Sequence, residues 1–204
     1  MPLTEDVPKA MMNHDGSTLI ANGIERLKSF VESIHITVGY KGATLAKHVI
    51  EHNVTSVFNT DGKGNSWWIF NTLLRNVDEP ILVLTCDNVV ELDADRLIFD
   101  YQQQQMPACM VIPVKPVNGL EGDYIFETGG VVSELNRHKV ASIYCSGIQI
   151  INPAKVNRLV QPTENFYTVW NDLIKLKELR CSSVYPKNWI TVDTVEQLNL
   201  LNGN

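Results

Sequence analysis

The stretch HITVGYKGATLAKHVIEHNVTSVFN, residues 35–59, carries the pattern that decides the fold. His35–Val38 and Ser56–Phe58 are both strand-like segments. Between them, apolar residues recur at helical spacing through Leu45, Ala46, Val49 and Ile50. A strand, a helix and a second strand in this order are typical of a parallel βαβ unit.

The same alternation continues on both sides of this stretch. A helical pattern precedes it from Leu19 to Phe30, with Ser17 or Thr18 placed as the N-cap. After it, we predict a loop over Asn59–Ser66, followed by segments that alternate in type. These are a helix over Trp67–Leu74, a central parallel strand over Ile81–Thr85, which is apolar on both faces, and a helix over Asp93–Gln105 capped by Asp93.

Strand-like segments dominate after Ala108, with Gly129-Gly130 placed as a hairpin turn. The predicted strands are Ala108–Pro113, Tyr124–Glu127, Val131–Leu135, Ser142–Ile151 and Trp189–Val192, and the predicted helices are Phe166–Lys177 and Thr194–Leu201. One α/β domain with a mixed sheet, spanning residues 1–204, is the simplest interpretation.

Composition and charge exclude several classes of protein. The chain is 44% hydrophobic and 20% charged, as in ordinary globular proteins, and no apolar run approaches the roughly 18–20 residues that cross a bilayer. The net charge of −6 and the lack of a basic run argue against a nucleic-acid surface. The four cysteines form no CxxC pair, which favours a reduced, cytoplasmic setting.

Two aspartates stand at the ends of predicted strands. Asp87 follows Ile81–Thr85, at the carboxyl edge of the sheet where open α/β folds bind ligands, and a carboxylate there suits Mg²⁺. The alternative is a turn formed by Asp87-Asn88. Asp193 follows Trp189–Val192 and could share the cation, or it could form part of a capping box for the last helix.

A lysine and a glycine-containing loop are further candidates. Lys9 follows Pro8 in a short polar-to-apolar segment, where the alternative is a solvated surface charge. The loop Gly62–Ser66 lies between a strand and a helix, where backbone N–H groups suit an anion or a base edge; a simple turn is the alternative. The chain lacks HxH, HExxH and GxSxG motifs.

Six segments in register resemble the sugar-phosphate nucleotidyltransferases, including their phosphocholine cytidylyltransferase branch. The opening PLTEDVPKAMM, residues 2–12, resembles the family's PLTxDxPKxM segment. The remaining five are GSTLI (16–20), VGYK (38–41), LTCDN (84–88), SGIQI (146–150) and WITVDT (189–194). NSWW (65–68) and WND (170–172) are similar to the cytidylyltransferase branch.

The resemblance implies a Rossmann-like, mixed but mainly parallel sheet flanked by helices, of the nucleotide-diphospho-sugar transferase type. It implies that Asp87 and Asp193 bind Mg²⁺ and that Lys9 contacts phosphates at the reacting centre. It also implies that the nucleotide base is contacted by Asn59, Gly64, Asn65 and Ser66. The acceptor is implied to be contacted by Gly122, Glu134 and Lys139. Tyr124, Trp67, Trp68 and Trp170 could hold a choline-like cation or belong to the core.

The family begins with a strand and a glycine-rich phosphate loop, and Met1 stands where that loop ends. We therefore expect the first strand and the triphosphate-binding loop to be missing, through a start codon placed too far downstream or a truncated chain. An upstream reading frame without a strand-GxGxR pattern would refute this hypothesis. If the natural protein begins at Met1, NTP binding should be badly weakened.

The implied reaction transfers a nucleoside monophosphate from an NTP to a sugar 1-phosphate or a phosphocholine-like monoester and releases pyrophosphate. The expected partners are thus an NTP and a phosphorylated small molecule, without nucleic acid or membrane; a homo-oligomer is compatible with the sequence. One alternative is a non-catalytic regulatory or assembly homologue that has lost the phosphate loop. Another alternative is a glycosyltransferase with a DxD motif. The chain contains such a motif, Asp93-Ala94-Asp95, but it lies at the start of a predicted helix.

Overall fold

A computed structural model describes residues 7–117, 122–192 and 195–202 of the chain. The α-helices are α1 (Leu19–Leu27), α2 (Gly42–Ile50), α3 (Trp67–Asn71), α4 (Ala94–Gln103), α5 (Pro153–Leu159), α6 (Phe166–Lys175) and α7 (Val195–Leu201). The strands are β1 (Asn13–His14), β2 (Ser17–Thr18), β3 (His35–Val38), β4 (Ser56–Asn59), β5 (Ile81–Val83), β6 (Asn88–Glu91), β7 (Cys109–Val114), β8 (Tyr124–Thr128), β9 (Val131–Asn136), β10 (Tyr144–Ile151), β11 (Leu179–Cys181) and β12 (Asn188–Thr191). Short 3₁₀ helices span Lys9–Met11 and Leu73–Asn76.

The chain forms two compact units. The first unit comprises the described residues of Met1–Lys63, Cys86–Val89 and Ile190–Asn204, and the second unit those of Gly64–Thr85 and Val90–Trp189. The single-domain organisation of residues 1–204 stays a prediction.

The first unit contains the predicted βαβ element. Strands β3 and β4 pair in parallel, from His35 opposite Ser56 to Val38 opposite Asn59, and α2 connects them. The buried side chains of this core are Ala10, Ile20, Ile24, Val38, Leu45 and Val49. Of the predicted apolar positions, Leu45 and Val49 are buried in this core and Ala46 packs against it, whereas Ile50 is exposed.

Helix α1 begins where the sequence allowed two N-caps, Ser17 or Thr18. Thr18 is the cap, because its Oγ1 accepts a hydrogen bond from the N–H of Ala21 at 3.2 Å. A bond of this kind satisfies one of the donors that the first turn of a helix leaves unpaired.

The second unit is built on a six-stranded sheet in the order β5-β10-β7-β11-β9-β8. All six residues of β7 are buried, and α4 packs Leu97 and Tyr101 into the same cluster as Met110 and Ile112 of that strand. Asp93 caps α4 as predicted, with Oδ1 accepting from the N–H of Arg96 at 3.2 Å. The predicted hairpin joins β8 to β9 through Gly129 and Gly130, whose φ angles of +59° and +79° favour glycine.

The mixed α/β class is confirmed, but two details of strand pairing were wrong. The segment Ile81–Thr85 was expected to be a central parallel strand; β5 instead pairs antiparallel with β10, with Val83 opposite Gln149, and lies at one end of the sheet order. The sequence also predicted that most strands would pair in parallel, and this is wrong for the six-stranded sheet. Within its described residues, β7 and β11 pair in parallel and the other strand pairs are antiparallel. An apolar run indicates burial and carries no information about the direction of the neighbouring strand.

Five strands and α-helices were not predicted from the sequence: β1, β2, β6, α5 and β11. Helix α5 had a readable signal, since Asn152 caps it by accepting from the N–H of Lys155 at 2.9 Å and Pro153 occupies its first turn. The strand β11 has three residues, too few for a periodic pattern. None of the helices in the described part of the chain is long and apolar enough to cross a membrane.

Candidate functional site

Lys9 and Asp87 form an ion pair in the first unit, although 78 residues separate them in the sequence. Lys9 Nζ lies 3.0 Å from Asp87 Oδ2, and the two side chains are 24% and 27% exposed. Lys9 belongs to a one-turn 3₁₀ helix that is anchored by the buried Ala10, and Asp87 directly precedes β6. Neither side chain is a fully solvated surface charge, which was the alternative for Lys9.

The backbone of Asp87 is fixed by the segment that leads to the second predicted aspartate. The N–H of Val192 donates to the carbonyl oxygen of Asp87 at 2.9 Å, and Val192 is fully buried beside Leu19 and Leu198. Asp193, with either of its predicted roles, lies outside the described residues. The structure therefore ties the residue before Asp193 to Asp87 and leaves the role of Asp193 a prediction.

Asp87 supplies one partly exposed carboxylate, the kind of ligand that Mg²⁺ takes in a site completed by substrate oxygens. Within residues 7–117, 122–192 and 195–202, no three His, Cys, Asp or Glu side chains are grouped so as to hold a metal by themselves. Mg²⁺ usually takes only one or two protein carboxylates and fills its other positions with water and substrate phosphates. Asp87 is one such carboxylate, and its role as a metal ligand stays a prediction.

Asn59 is the last residue of β4, in the first unit. Its side-chain Oδ1 accepts a hydrogen bond from the N–H of Asp61 at 2.9 Å. This bond closes a local turn at the end of the strand. The amide group of Asn59 thus shapes the start of the loop that follows.

The predicted base-binding residues Gly64, Asn65 and Ser66 lie in the second unit, against residues 163–166. The N–H of Gly64 donates to Glu164 Oε2 at 3.0 Å, and Asn65 Oδ1 accepts from the N–H of Phe166 at 2.9 Å. Ser66 is fully buried, and its hydroxyl donates to the carbonyl oxygen of Thr163 at 2.9 Å. Sequence reasoning missed residues 163–166, since their partners are about a hundred positions away.

Two of the predicted acceptor-binding residues come together on β9 and the turn after it. Lys139 Nζ lies 3.1 Å from Glu134 Oε2 and 4.2 Å from the centre of the Phe126 ring. Hydrogen bonds from Asn136, and then from Lys139, lower the pKa of the Glu134 carboxyl below its ordinary value. Gly122 packs elsewhere, against Tyr144: a Cβ at position 122 would lie 2.3 Å from the Tyr144 hydroxyl.

A second charged pair near Gly122 was not predicted. Asp123 is buried, with a side chain 10% exposed, and accepts from Arg137 Nε at 3.3 Å, while the Arg137 side chain is 64% exposed. No motif in the sequence marks this pair, because the two residues meet only through the β8–β9 hairpin.

Three of the four aromatic residues considered for a cation site, Trp68, Trp170 and Tyr124, pack against other rings. The Phe166 ring lies between Trp68 and Trp170, with centroid distances of 6.4 and 5.6 Å, and Trp170 Nε1 donates to the buried Gln149 at 2.9 Å. Tyr124 instead packs edge-on against Tyr144, at 5.2 Å. Trp170 thus stacks on Phe166, and Trp68 meets the same ring edge-on.

Burial raises the pKa of each cysteine in the second unit. It raises the pKa of Cys145 to about 11 and that of Cys181 to about 12, and it raises the pKa of the buried Cys109 as well. The thiol, rather than the nucleophilic thiolate, is the form expected near neutral pH. This agrees with the absence of a nucleophile motif in the sequence.

No protein-family model and no curated protein matches the chain, but solved structures do. A putative glucose-1-phosphate thymidylyltransferase from Bacillus anthracis, in complex with a sucrose, matches 99% of this chain and 88% of its own, with a TM-score of 0.79 and 15% identity. The inositol-1-phosphate CTP transferase from T. maritima matches 97% and 85%, with a TM-score of 0.75 and 16% identity.

A third match is the CTP:phosphocholine cytidylyltransferase from Streptococcus pneumoniae, which covers 99% of this chain and 91% of its own, with a TM-score of 0.73 and 18% identity. At such identities the likeness establishes the fold. The chain therefore has the fold of the sugar-phosphate nucleotidyltransferases, as the sequence resemblance implied.

Proposed function

We propose that this chain is a nucleotidyltransferase that joins the nucleoside monophosphate of an NTP to a phosphorylated small molecule and releases pyrophosphate. The observation that carries the proposal is the Lys9–Asp87 pair, which the fold assembles from two segments 78 residues apart. The fold itself, shared with transferases that act on CTP and phosphocholine or on inositol 1-phosphate, adds independent support.

The reaction is an in-line attack by an acceptor phosphate oxygen on the α-phosphorus of the NTP. The new P–O bond forms as the bond to pyrophosphate breaks, and pyrophosphate leaves with the bonding electron pair. Since a phosphate monoester has a second pKa of about 6, the acceptor is mostly a dianion and needs no general base. The protein has to position the two substrates and neutralise charge.

In this proposal, Lys9 stabilises the negative charge that develops around the α-phosphorus. Its ammonium carries three N–H donors, and Asp87 holds it in place. Asp87, with Asp193, would hold Mg²⁺, which supplies Lewis-acid neutralisation of phosphate charge when bound. Partial exposure of both Lys9 and Asp87 leaves them accessible to a substrate.

We assign the base to Asn59, Gly64, Asn65 and Ser66, and the acceptor to Gly122, Glu134 and Lys139. The rigid attachment of residues 64–66 to residues 163–166 supports the first assignment, because a base edge is read by donors and acceptors held in fixed positions. The Lys139–Glu134 pair supports the second, because it offers a cation for a phosphate and a carboxylate for hydroxyl groups.

A pyrophosphate-release assay tests this function. Four NTPs are screened with Mg²⁺ against sugar 1-phosphates and phosphocholine, and we expect release that requires one NTP and one acceptor together. The rival hypothesis is a non-catalytic homologue without a phosphate loop. Titration of each NTP–Mg²⁺ complex into the protein distinguishes it from an enzyme, because such a homologue should bind none of the complexes. The dependence on magnesium, the cytoplasmic location and a homo-oligomeric state stay predictions.

A further inference from the structure

Residues 64–66 are held to residues 163–166 by main-chain and side-chain hydrogen bonds within the second unit. In addition to the three bonds described above, the N–H of Ser66 approaches the carbonyl oxygen of Glu164 at 3.4 Å. The contact is too close for any side chain at position 64: a Cβ there would lie 1.9 Å from that carbonyl oxygen. The two segments therefore form one rigid structure, which we call the 64–164 brace.

The brace orients the side chains of Glu164 and Asn65. In each of them, one polar atom forms a hydrogen bond within the brace. Glu164 accepts from Gly64 with Oε2, and Oε1 has no hydrogen bond within the described residues. Asn65 accepts from Phe166 with Oδ1, and only an oxygen can accept from an N–H, so the amide orientation is settled and Nδ2 remains as a donor. Both side chains are exposed.

The brace thus carries an exposed acceptor on Glu164 and an exposed donor on Asn65. Glu164 contributes the acceptor, because an ionised carboxylate has no hydrogen to donate. Asn65, one residue after the glycine that holds Glu164, contributes the donor. Such a pair complements a base edge that carries an amino group next to an unprotonated ring nitrogen.

We propose that Glu164 and Asn65 select a nucleotide whose base is cytosine or adenine. On their Watson–Crick edges both bases carry an exocyclic amino group beside an unprotonated ring nitrogen, whereas guanine has a protonated nitrogen there, and Glu is a known acceptor for the cytosine amino group. Uracil and hypoxanthine offer a carbonyl oxygen and a ring N–H instead, so each would place acceptor against acceptor and donor against donor. The inference rests on the proposed function, because it requires that residues 64–66 lie beside the base.

The substitution Glu164→Gln tests this assignment with little change in shape. The Gln carbonyl oxygen can still accept from the N–H of Gly64, so the brace is kept, while the amide nitrogen replaces Oε1 and turns the acceptor into a donor. Asn65→Asp is the complementary change, because it keeps an oxygen for the N–H of Phe166 and removes the donor. Glu79→Gln, at an exposed position of the second unit, is the matched control.

Binding is measured by calorimetric titration of CTP, UTP, ATP and ITP, each with Mg²⁺, so that no acceptor needs to be known. In the unaltered chain we expect CTP to bind at least about tenfold more tightly than UTP, or ATP than ITP, and the pair that shows this identifies the base. Glu164→Gln should reduce that ratio by about tenfold or more, and Asn65→Asp should reduce it too, whereas Glu79→Gln should leave it unchanged.

The outcomes separate this inference from the function on which it rests. Binding of an NTP without preference for the amino-bearing base, or a ratio that Glu164→Gln leaves unchanged, would overturn the assignment of Glu164 and leave the nucleotidyltransferase function standing. If none of the four nucleotides binds, the proposed function fails as well. Thermal unfolding of each variant shows that a changed ratio does not come from loss of the fold.

Discussion

At the scale of single residues, the Lys9–Asp87 pair is the feature from which the chemistry follows. A carboxylate and an ammonium 3.0 Å apart and partly buried hold each other in one geometry, which an isolated lysine on a loop would not have. The sequence identified both residues through resemblance to a family and left a turn or a surface charge as alternatives. Only the structure shows that the two side chains meet.

Asp87→Asn is expected to lower nucleotidyl transfer by about 100-fold or more, because it removes the charge that holds Lys9 and would bind Mg²⁺. The stability of the fold should change by about 1 kcal/mol or less, as for other partly exposed ion pairs. Pyrophosphate release and urea unfolding measure the two effects. Asp95→Asn, at an exposed position of α4, is the control; equal rates in both variants would remove Asp87 from the site.

Elements of secondary structure depend on contacts that local pattern does not reveal, and two glycines illustrate this. Gly23 lies inside α1, where a Cβ would meet nothing within 4 Å. Gly64 lies in a loop, where a Cβ would collide with the main chain of Glu164. If stability alone is considered, the general tolerance of loops to change would make the loop glycine the more replaceable of the two. The structure predicts the reverse.

Gly64→Ala should lower the free energy of unfolding by about 1–3 kcal/mol, the usual cost of forcing atoms into a packed site. Gly23→Ala should raise it by about 0.5–1 kcal/mol, since alanine loses less conformational entropy in a helix. Urea unfolding measures both changes. A Gly64→Ala variant as stable as the unaltered chain would show that the 64–164 brace does not contribute to stability.

Strand β3 contains a histidine that links stability to pH. Burial lowers the pKa of His35 below its ordinary value near 6.5, and its Nδ1 lies 2.8 Å from Ser56 Oγ on β4. Between the folded and unfolded pKa values, the unfolded chain binds more protons, so stability rises with pH in that window. We therefore expect this contribution to be present above about pH 6.5 and to be lost as the pH falls through the folded pKa.

The measurement is the free energy of unfolding against pH, compared between the unaltered chain and His35→Gln. The glutamine has no charge to gain, so the difference between the two curves should shrink below pH 6.5. A constant difference between pH 5 and pH 8 would contradict the assignment of His35. His138→Gln, at an exposed position, is the control.

At the scale of the whole molecule, ligand binding should increase the free energy of unfolding. A ligand that binds only the folded state, at 100 times its dissociation constant, adds about 2.7 kcal/mol to the free energy of unfolding. For a chain of this size, that corresponds to a rise in Tm of about 5–10 °C. We expect the preferred NTP with Mg²⁺ to produce this rise, and Asp87→Asn to lose most of it. The same rise in both would place NTP binding elsewhere.

The sequence predicted most elements because helices and strands leave periodic apolar patterns, as in α1, β3, α2 and β4. It did not predict β11, whose three residues are too few for a period, or the antiparallel pairing of β5, because direction depends on a partner that is remote in the chain. In the candidate site, it named Lys9, Asp87 and Gly64–Ser66. It could not name Glu164 or Arg137, because no local motif contains them.

By itself, the sequence determined the α/β class, the βαβ element of residues 35–59 and the residue types that suit phosphate and metal. Tertiary structure alone decided that Lys9 contacts Asp87 and that Gly64 contacts Glu164. The physical reason is that periodicity and capping act over a few neighbouring residues. Contacts across 78 or 100 positions form only when the core has fixed the backbone on both sides.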